Sequence, residues 1–408
     1  MRIVIDATAA ISGGKLYLEK LLPQLAEINS KHDFTIFHTG DLDLLAGRLA
    51  GEGFRFVRVA IPFLRDGQWA GASVLRLLWR KFVLPSHLRR LQPDLFFSNS
   101  GAVPRSKPAK TKTVIALHNC MPLNAELIRD ERSAVRRWRL KLLRRQMRGA
   151  LQACNVSIAF SEDTRRQIAE NFGALPHRPA VVHHAMDWGE RERKLAVDFE
   201  QLNRLGVARP YLLYVSQFHR YKNVLRLLEA FARLEQHSQL QLAQLQLAQL
   251  QFAQLQSAQL QLVLVGASAD RQYWGEIEEA IERLGLRERV IHIPASPREQ
   301  LIALYRGAVA FVQPSLAETC SFPLLEALAL GVPAAVARMS ALPEMAGEAA
   351  IYFNPHSVDE MAQAMERLVW DEDLRGRLSG KAIEQAAKFT WEKTALQTLE
   401  VFEKVAQG

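Results

Sequence analysis

Cysteine is scarce in this chain. Its three thiols, Cys120, Cys154 and Cys320, are too few for a disulfide framework, and none stands in the spacing of a zinc site. That pattern fits a reducing cytoplasm. The N-terminal Met-Arg-Ile-Val-Ile-Asp lacks the 7–15-residue apolar core of a signal peptide and reads as a first strand. Long apolar runs are missing too. The most apolar internal stretch, Val74 to Leu84, is interrupted by Arg76, Arg80 and Lys81 and falls far short of the ~20 residues of a membrane span. There is no Gly-x-Gly-x-x-Gly dinucleotide signature. The glycine-rich segment Ile11-Ser-Gly13-Gly14-Lys15 is no Walker loop, because position 9 is Ala and no Ser or Thr follows the lysine.

What is present is a soluble composition, 49% hydrophobic and 23% charged, and 408 residues, enough for two domains. The net charge of +9 is unevenly held. Residues 1–200 carry 32 Lys and Arg against 20 Asp and Glu, whereas residues 201–408 carry 20 against 23. The basic half suits an anionic partner: a phosphorylated substrate, a membrane surface or nucleic acid.

Short apolar runs alternate with amphipathic segments, the mark of strand–helix units around a parallel sheet. The predicted strands are Arg2–Asp6, Asp33–His38, Phe54–Val59, Leu95–Ser98, Thr113–Leu117, Val156–Phe160 and Pro179–Val182, then Tyr211–Val215, Leu260–Val265, Val290–Ile293, Ala308–Val312, Pro333–Ala337 and Ala350–Phe353. The plan is α/β, two doubly wound domains facing across a cleft: residues 1–190, a polar linker 191–209, residues 210–388, and a last helix 389–408 packing back on the first domain. From Gln239 to Val263 run five copies of a pentapeptide of the type Gln-Leu-Gln-Leu-Ala. A period of five keeps its leucines on one side of neither a helix nor a strand. Removing residues 239–258 joins Glu229-Ala-Phe-Ala-Arg-Leu to a strand at ordinary spacing, so the repeat reads as an insertion between a helix and its following strand.

Two constellations carry chemistry. Pro314-Ser-Leu-Ala-Glu318-Thr-Cys-Ser321-Phe322-Pro323-Leu-Leu-Glu326 runs from a strand through a loop into a helix opened by proline. Free amides at that start, around Ser321, Phe322 and Pro323, suit a diphosphate. Glu326, expected in the first turn, equally suits the helix dipole; Glu318 has no such structural reason. The second is Tyr211-Leu-Leu-Tyr-Val-Ser-Gln217-Phe-His-Arg220-Tyr-Lys222-Asn, strand then basic loop. Arg220 and Lys222 reach phosphates or stay solvated.

On these motifs, with Gly266, Val290-Ile-His-Ile-Pro, Leu342-Pro-Glu-Met-Ala-Gly-Glu, Phe353-Asn-Pro and Phe389-Thr-Trp-Glu-Lys, the chain resembles the family 4 glycosyltransferases of the GT-B fold, in the group that builds bacterial cell-surface polysaccharides. The resemblance implies that Glu318 contacts the donor sugar, that Glu326 binds the nucleotide ribose and that Lys222 stabilises the leaving diphosphate. It assigns His118, at the end of a strand, to the donor sugar, and Gly13 and Gly14 to a loop over acceptor and phosphates. Two positions depart from the pattern. Gln217 stands where the family has Arg, with Arg220 as a substitute, and Thr319-Cys320-Ser321 replaces Gly-Phe-Gly beside the sugar. The resemblance further implies transfer with retention, no metal and no cofactor beyond the nucleotide-sugar substrate, for which GDP-mannose is the first choice. His183 and His184 have no carboxylate or Cys to complete a metal set.

Between Arg129 and Arg148 lie nine Lys or Arg and two acids. Leu140, Leu143, Met147 and Leu151 are the expected buried stripe. Arg137, Lys141, Arg144 and Arg148 form a basic stripe, either solvated or laid on an anionic membrane. Nucleic acid is disfavoured, because no reader fold or stacking aromatics accompany the charges. The expectation is a glycosyltransferase acting on a lipid-linked saccharide at the inner face of the plasma membrane. A GT-B sugar-nucleotide epimerase and a non-catalytic membrane-docking protein are the alternatives.

Overall fold

The computed structural model describes the chain apart from residues 9–12, 29–30, 52, 61–71, 120, 187, 189, 235–259 and 269, and apart from the side chains of 72–74. Ile11, Ser12, Cys120, Asp187 and the pentapeptide copies through residue 258 therefore lie outside the described residues.

The chain divides into two compact units: residues 1–185 with 390–408, and residues 186–389. In the first, a seven-stranded sheet has the order β3-β2-β1-β4-β5-β6-β7. Its strands are β1 (Arg2–Asp6), β2 (Asp33–His38), β3 (Phe54–Arg58), β4 (Leu95–Ser98), β5 (Lys112–Ala116), β6 (Val156–Ala159) and β7 (Ala180–Val181). In the second, β8 (Tyr211–Val215), β9 (Gln261–Val265), β10 (Val290–Ile293), β11 (Ala310–Gln313), β12 (Ala334–Ala337) and β13 (Ala350–Phe353) pair in the order β10-β9-β8-β11-β12-β13. Every pairing is parallel. Thus each predicted strand exists, with ends moved by two residues at most.

Parallel strands covered by helices on both faces need apolar side chains at successive positions. Tyr211–Val215 and Ala334–Ala337 meet that demand and are buried throughout. The covering helices start where short polar side chains can cap them: Ser161, Asp270, Ser321, Ser357, Asp371 and Thr390 each accept from a backbone N–H one turn on.

Two stretches differ from a simple reading of their composition. The polar stretch expected to be a linker holds two short helices, Glu190–Lys194 and Phe199–Arg204, and it gives Leu202 and Val207 to the core of the second unit. The last helix, Trp391–Gln407, packs on the Gly13–Ile28 helix of the first unit. There Phe402 meets Phe97 at 5.1 Å between ring centroids. The last copy of the pentapeptide supplies Leu260 and the first residues of β9, while residues 224–234 are helical.

In both sheets the strand order reverses beside the first strand of the unit. Ligands of doubly wound folds sit at this switch point, outside the carboxyl ends of the strands. The switch points lie between β1 and β4 and between β8 and β11, and every catalytic residue expected from the sequence falls on a loop at or next to one of them.

Candidate active site

In the second unit, β8 leads through Ser216 and Gln217 into a single 3-10 turn, Arg220–Lys222. β11 ends at Gln313 and leads into the Pro314–Cys320 loop. These loops are tied together by backbone and by one asparagine. The Leu316 N–H donates to the Tyr221 carbonyl at 2.7 Å. Asn223 takes the left-handed conformation (φ 64°) that Asn tolerates, and its Nδ2 donates to the carbonyls of Pro314 (3.1 Å) and Pro355 (2.8 Å).

That scaffold brings Lys222 Nζ to 2.6 Å from Glu318 Oε1, with side chains 12% and 6% exposed. The same carboxylate oxygen accepts from Gln313 Nε2 at 3.0 Å. Ser340 holds the Glu318 backbone at both ends. Its Oγ donates to the Glu318 carbonyl at 2.6 Å and accepts from the Glu318 N–H at 3.0 Å. Ser340 does this from a left-handed backbone (φ 59°), an unfavourable conformation for serine that this clamp offsets. The result is a near-buried, pre-positioned ammonium–carboxylate pair at a switch point. Lysine's three rotatable donors let it hold the carboxylate and still turn a proton toward a phosphate oxygen.

The other expected donor-site residues are placed differently. Arg220 is held by Glu276, with Nη1–Oε2 at 2.5 Å and Nη2–Oε1 at 2.7 Å, and its guanidinium lies 5.0 Å over the Tyr273 ring. Its fork is used within the protein, so Lys222 is the better placed cation for a diphosphate. Gln217 is exposed. The helix after the loop is Phe322–Ala329, so its first residue is Phe322, not Pro323. Its amides are largely engaged: Ser321 N–H points at Met345 Sδ (3.2 Å), Leu324 N–H at Ser321 Oγ (3.3 Å), and Pro323 has none. That helix start offers an anion fewer donors than the sequence suggested. Glu326 lies beyond the first turn, which removes the helix-dipole account of it. The Oε2 of this half-buried carboxylate accepts from the Tyr305 hydroxyl at 2.9 Å. Burial, then the Glu326 charge, drive the Tyr305 pKa well up, so the phenol stays a donor.

In the first unit, β5 delivers His118. Its Nε2 lies 2.8 Å from Asn99 Oδ1, and Asn99 Nδ2 donates to the Gly14 carbonyl at 2.9 Å. With the amide so oriented, Oδ1 must accept, and the imidazole carries its proton on Nε2. Tyr17, Phe160 and His184 pack around the ring at centroid distances of 5.0, 4.5 and 5.4 Å. Burial holds the His118 pKa down to about 3, and burial, with the neighbouring His118 and His183, keeps that of His184 well below the usual imidazole value. His118 is therefore a neutral hydrogen-bonding group at neutral pH and not a proton donor. Gly13 and Gly14 open the helix beside it. A Cβ on Gly14 would come within 3.2 Å of Asn99 Nδ2, so glycine there keeps the Asn99–His118 link in place.

The basic helix, Ala134–Ala153, corrects the expected stripes. Arg144 is turned inward: its guanidinium donates to the carbonyls of Pro122 and Leu123 (both 2.8 Å) and Asn171, and lies over the Phe172 ring. It fastens a loop and contributes no outward charge. Arg137 is half-buried, whereas Lys141 and Arg148 are exposed. Leu140, Leu143 and Met147 are only half-buried, and just Ala150 and Leu151 are fully covered. Meanwhile Val135, Trp138 and Leu142 are 76%, 67% and 40% exposed. Their spacing of three and four put them on one face in the sequence as well, but the leucine stripe beside them drew the prediction.

Sequence reading also missed Asn99, Glu276, Tyr305, Gln313 and Ser340. Only Gln313, a polar residue ending an apolar strand, carried a local signal. Among the described residues no group of three or more His, Cys, Asp or Glu could hold a metal ion, and no helix is long and apolar enough to cross a membrane.

Residues 11–188 match the profile described as Glycosyltransferase Family 4, and residues 199–385 the profile described as Glycosyl transferases group 1. The O-antigen chain mannosyltransferase B of Escherichia coli is 25% identical over 268 residues, which are 65% of this chain and 64% of that protein. The match thus spans slightly less than two thirds of that relative's own length. Sucrose-phosphate synthase from Thermosynechococcus elongatus superposes with a TM-score of 0.71 at 17% identity, covering 99% of both chains. Anabaena HepE, crystallised with UDP-glucose, gives 0.68 at 15% identity and covers 99% of this chain and 100% of that one. At such identities the likeness to the solved structures is one of fold. Taken with the two profiles, which between them match nearly the whole length, it means that the chain belongs to the family 4 glycosyltransferases and has the GT-B fold.

Proposed function

We propose that the protein is a metal-independent retaining glycosyltransferase that moves a hexose, mannose from GDP-mannose in the first instance, onto a lipid-linked saccharide in cell-surface polysaccharide assembly. The observation that carries this reading is the Lys222–Glu318 pair, clamped by Gln313, Asn223 and Ser340 at the switch point of the second sheet. As the glycosidic bond breaks, negative charge grows on the leaving diphosphate. A fixed ammonium stabilises that charge without reorganising at the moment of reaction. Glu318 orients the sugar, Glu326 takes the ribose hydroxyls, and His118 is a neutral hydrogen-bond partner for a sugar hydroxyl. Mannose is favoured by the E. coli relative, a mannosyltransferase by name; UDP-glucose, the ligand of HepE, is the second choice.

A thermal-shift series over sugar nucleotides tests the donor. A ligand at 100 times its dissociation constant stabilises by about 2.7 kcal/mol, and Glu326→Ala is expected to abolish that shift. A wild-type protein that responds to no common sugar nucleotide would overturn the reading.

The site of action in this proposal is an anionic membrane surface, reached through the Ala134–Ala153 helix. Val135, Trp138 and Leu142 enter the interface, and Lys141, Arg145 and Arg148 meet headgroups at about 1 kcal/mol per charge. Lys141→Glu, Arg145→Glu and Arg148→Glu together are expected to weaken binding to phosphatidylserine vesicles by a hundredfold or more, read from Trp138 fluorescence and sedimentation. Unaltered binding would refute the membrane contact.

A further inference from the structure

The apolar stretch that arginines interrupt in the sequence folds as the helix Ala72–Leu78 followed by a π-helical turn, Trp79–Val83. Such turns recur at functional sites. Arg76 is only 5% exposed, and its Nε is buried without a partner among the described residues. One turn on, Arg80 Nε donates to Asp6 Oδ2 at 2.6 Å, and its Nη2 is likewise buried without an acceptor. Asp6 is engaged elsewhere as well: its Oδ1 accepts from the backbone and hydroxyl of Thr8 at 3.0 and 2.6 Å. Asp41 lies near enough to offset part of the burial that pulls the Arg76 pKa down, without touching it. Buried guanidinium N–H groups left without an acceptor are costly, and a ligand that accepts from them would offset that cost.

The adjoining flank of the same segment is apolar. Leu75, Leu78, Trp79, Phe82 and Val83 line a cavity of about 450 Å³, with Arg58 and His87 also on its wall. Phe82 is 60% exposed, with Lys81 Nζ 5.2 Å from its ring centroid. Exposed apolar side chains at a cavity mouth mark a binding surface more often than a solvent face. Charge on one flank and hydrocarbon on the next fit an amphiphile that carries both. Asp6 ends β1, so the pair also stands at the switch point of this sheet.

We propose that Arg76 and Arg80 bind the phosphate of a lipid-linked acceptor whose hydrocarbon chain occupies the adjoining cavity. The site rests on the acceptor reading above and names how such an acceptor is held.

The test is binding to the full-length protein, without transfer. Farnesyl phosphate, farnesol and inorganic phosphate are titrated by calorimetry and by the fluorescence of Trp79. Farnesyl phosphate is expected to bind at least tenfold more tightly than either of the others. Arg76→Met is expected to cost farnesyl phosphate at least tenfold, to leave farnesol unchanged, and to melt no lower than the wild type, since it removes a buried guanidinium N–H left without an acceptor. Phe82→Ser, at an exposed position, is expected to weaken farnesyl phosphate and farnesol alike. Equal affinity for alcohol and phosphate, inorganic phosphate binding as tightly as the prenyl ester, or an unchanged Arg76→Met would each overturn the site. Sugar-nucleotide shifts on the same samples separate the two readings. Prenyl phosphate bound without any nucleotide leaves the site standing and removes the transferase; the reverse removes only the site.

Discussion

Replacing Lys222 with methionine is expected to lower the turnover of sugar transfer by about a thousandfold, the usual effect of deleting one fixed donor to a developing anion. The substitution also strips Glu318 of its partner. An unpaired carboxylate buried to that degree costs about 3–5 kcal/mol, so the melting temperature is expected to fall as well. Lys222→Met with Glu318→Gln separates the two effects. The neutral pair keeps the hydrogen bond from Gln313 and removes the stranded charge, so stability returns while activity does not. Lys222→Arg, with the charge but a different reach, is expected to fall between. Single-turnover rates and thermal melts on the same samples check this, and transfer by Lys222→Met within tenfold of the wild type would remove the lysine from the mechanism.

Gly266→Ala is expected to destabilise the second unit by about 3 kcal/mol or more, combining overpacking with a disallowed backbone. Gly266 has φ 130°, and a Cβ there would lie 1.8 Å from the carbonyl oxygen of Ser216. Backbone cannot swing aside as a side chain does. The Ser216 N–H donates to the Val265 carbonyl at 3.0 Å and that of Phe218 to Ala267 at 3.0 Å, so the loops after β8 and β9 are stitched around this glycine. Because the first of them continues into Arg220–Lys222, donor binding is expected to fail along with stability. Urea unfolding reads the first effect and nucleotide thermal shifts the second; a variant within about 1 kcal/mol of the wild type would show that the crossing can relax.

The sheets were legible because a strand buried on both faces must be apolar throughout, and few other segments are. Tyr211-Leu-Leu-Tyr-Val admits hardly any other reading. The loops were legible only in part. Glu318 stood out because a carboxylate in a short loop between apolar elements has no structural use. Its partners Gln313 and Ser340, 5 and 22 residues away, are ordinary polar residues whose meaning comes from the pairing of β11 with β12. The fate of Arg220 depended on Glu276, 56 residues on. Arg144 shows the same limit: helical spacing placed it in a basic stripe, but the loop and neighbouring helix it fastens come from elsewhere in the chain. Spacing within one element says which face a residue is on, and only the neighbouring elements decide what that face meets.

The return of the Trp391–Gln407 helix to the first unit bears on how the protein is made. Its Trp391 and Phe402 are buried there, so the first 185 residues leave the ribosome early yet cannot finish their core until the last turn of the chain has been synthesised. The second unit, continuous from 186 to 389, needs no such wait. The first unit thus closes its core with a helix made after the whole of the second unit, and it is expected to become native last, against the usual N-terminal-first order.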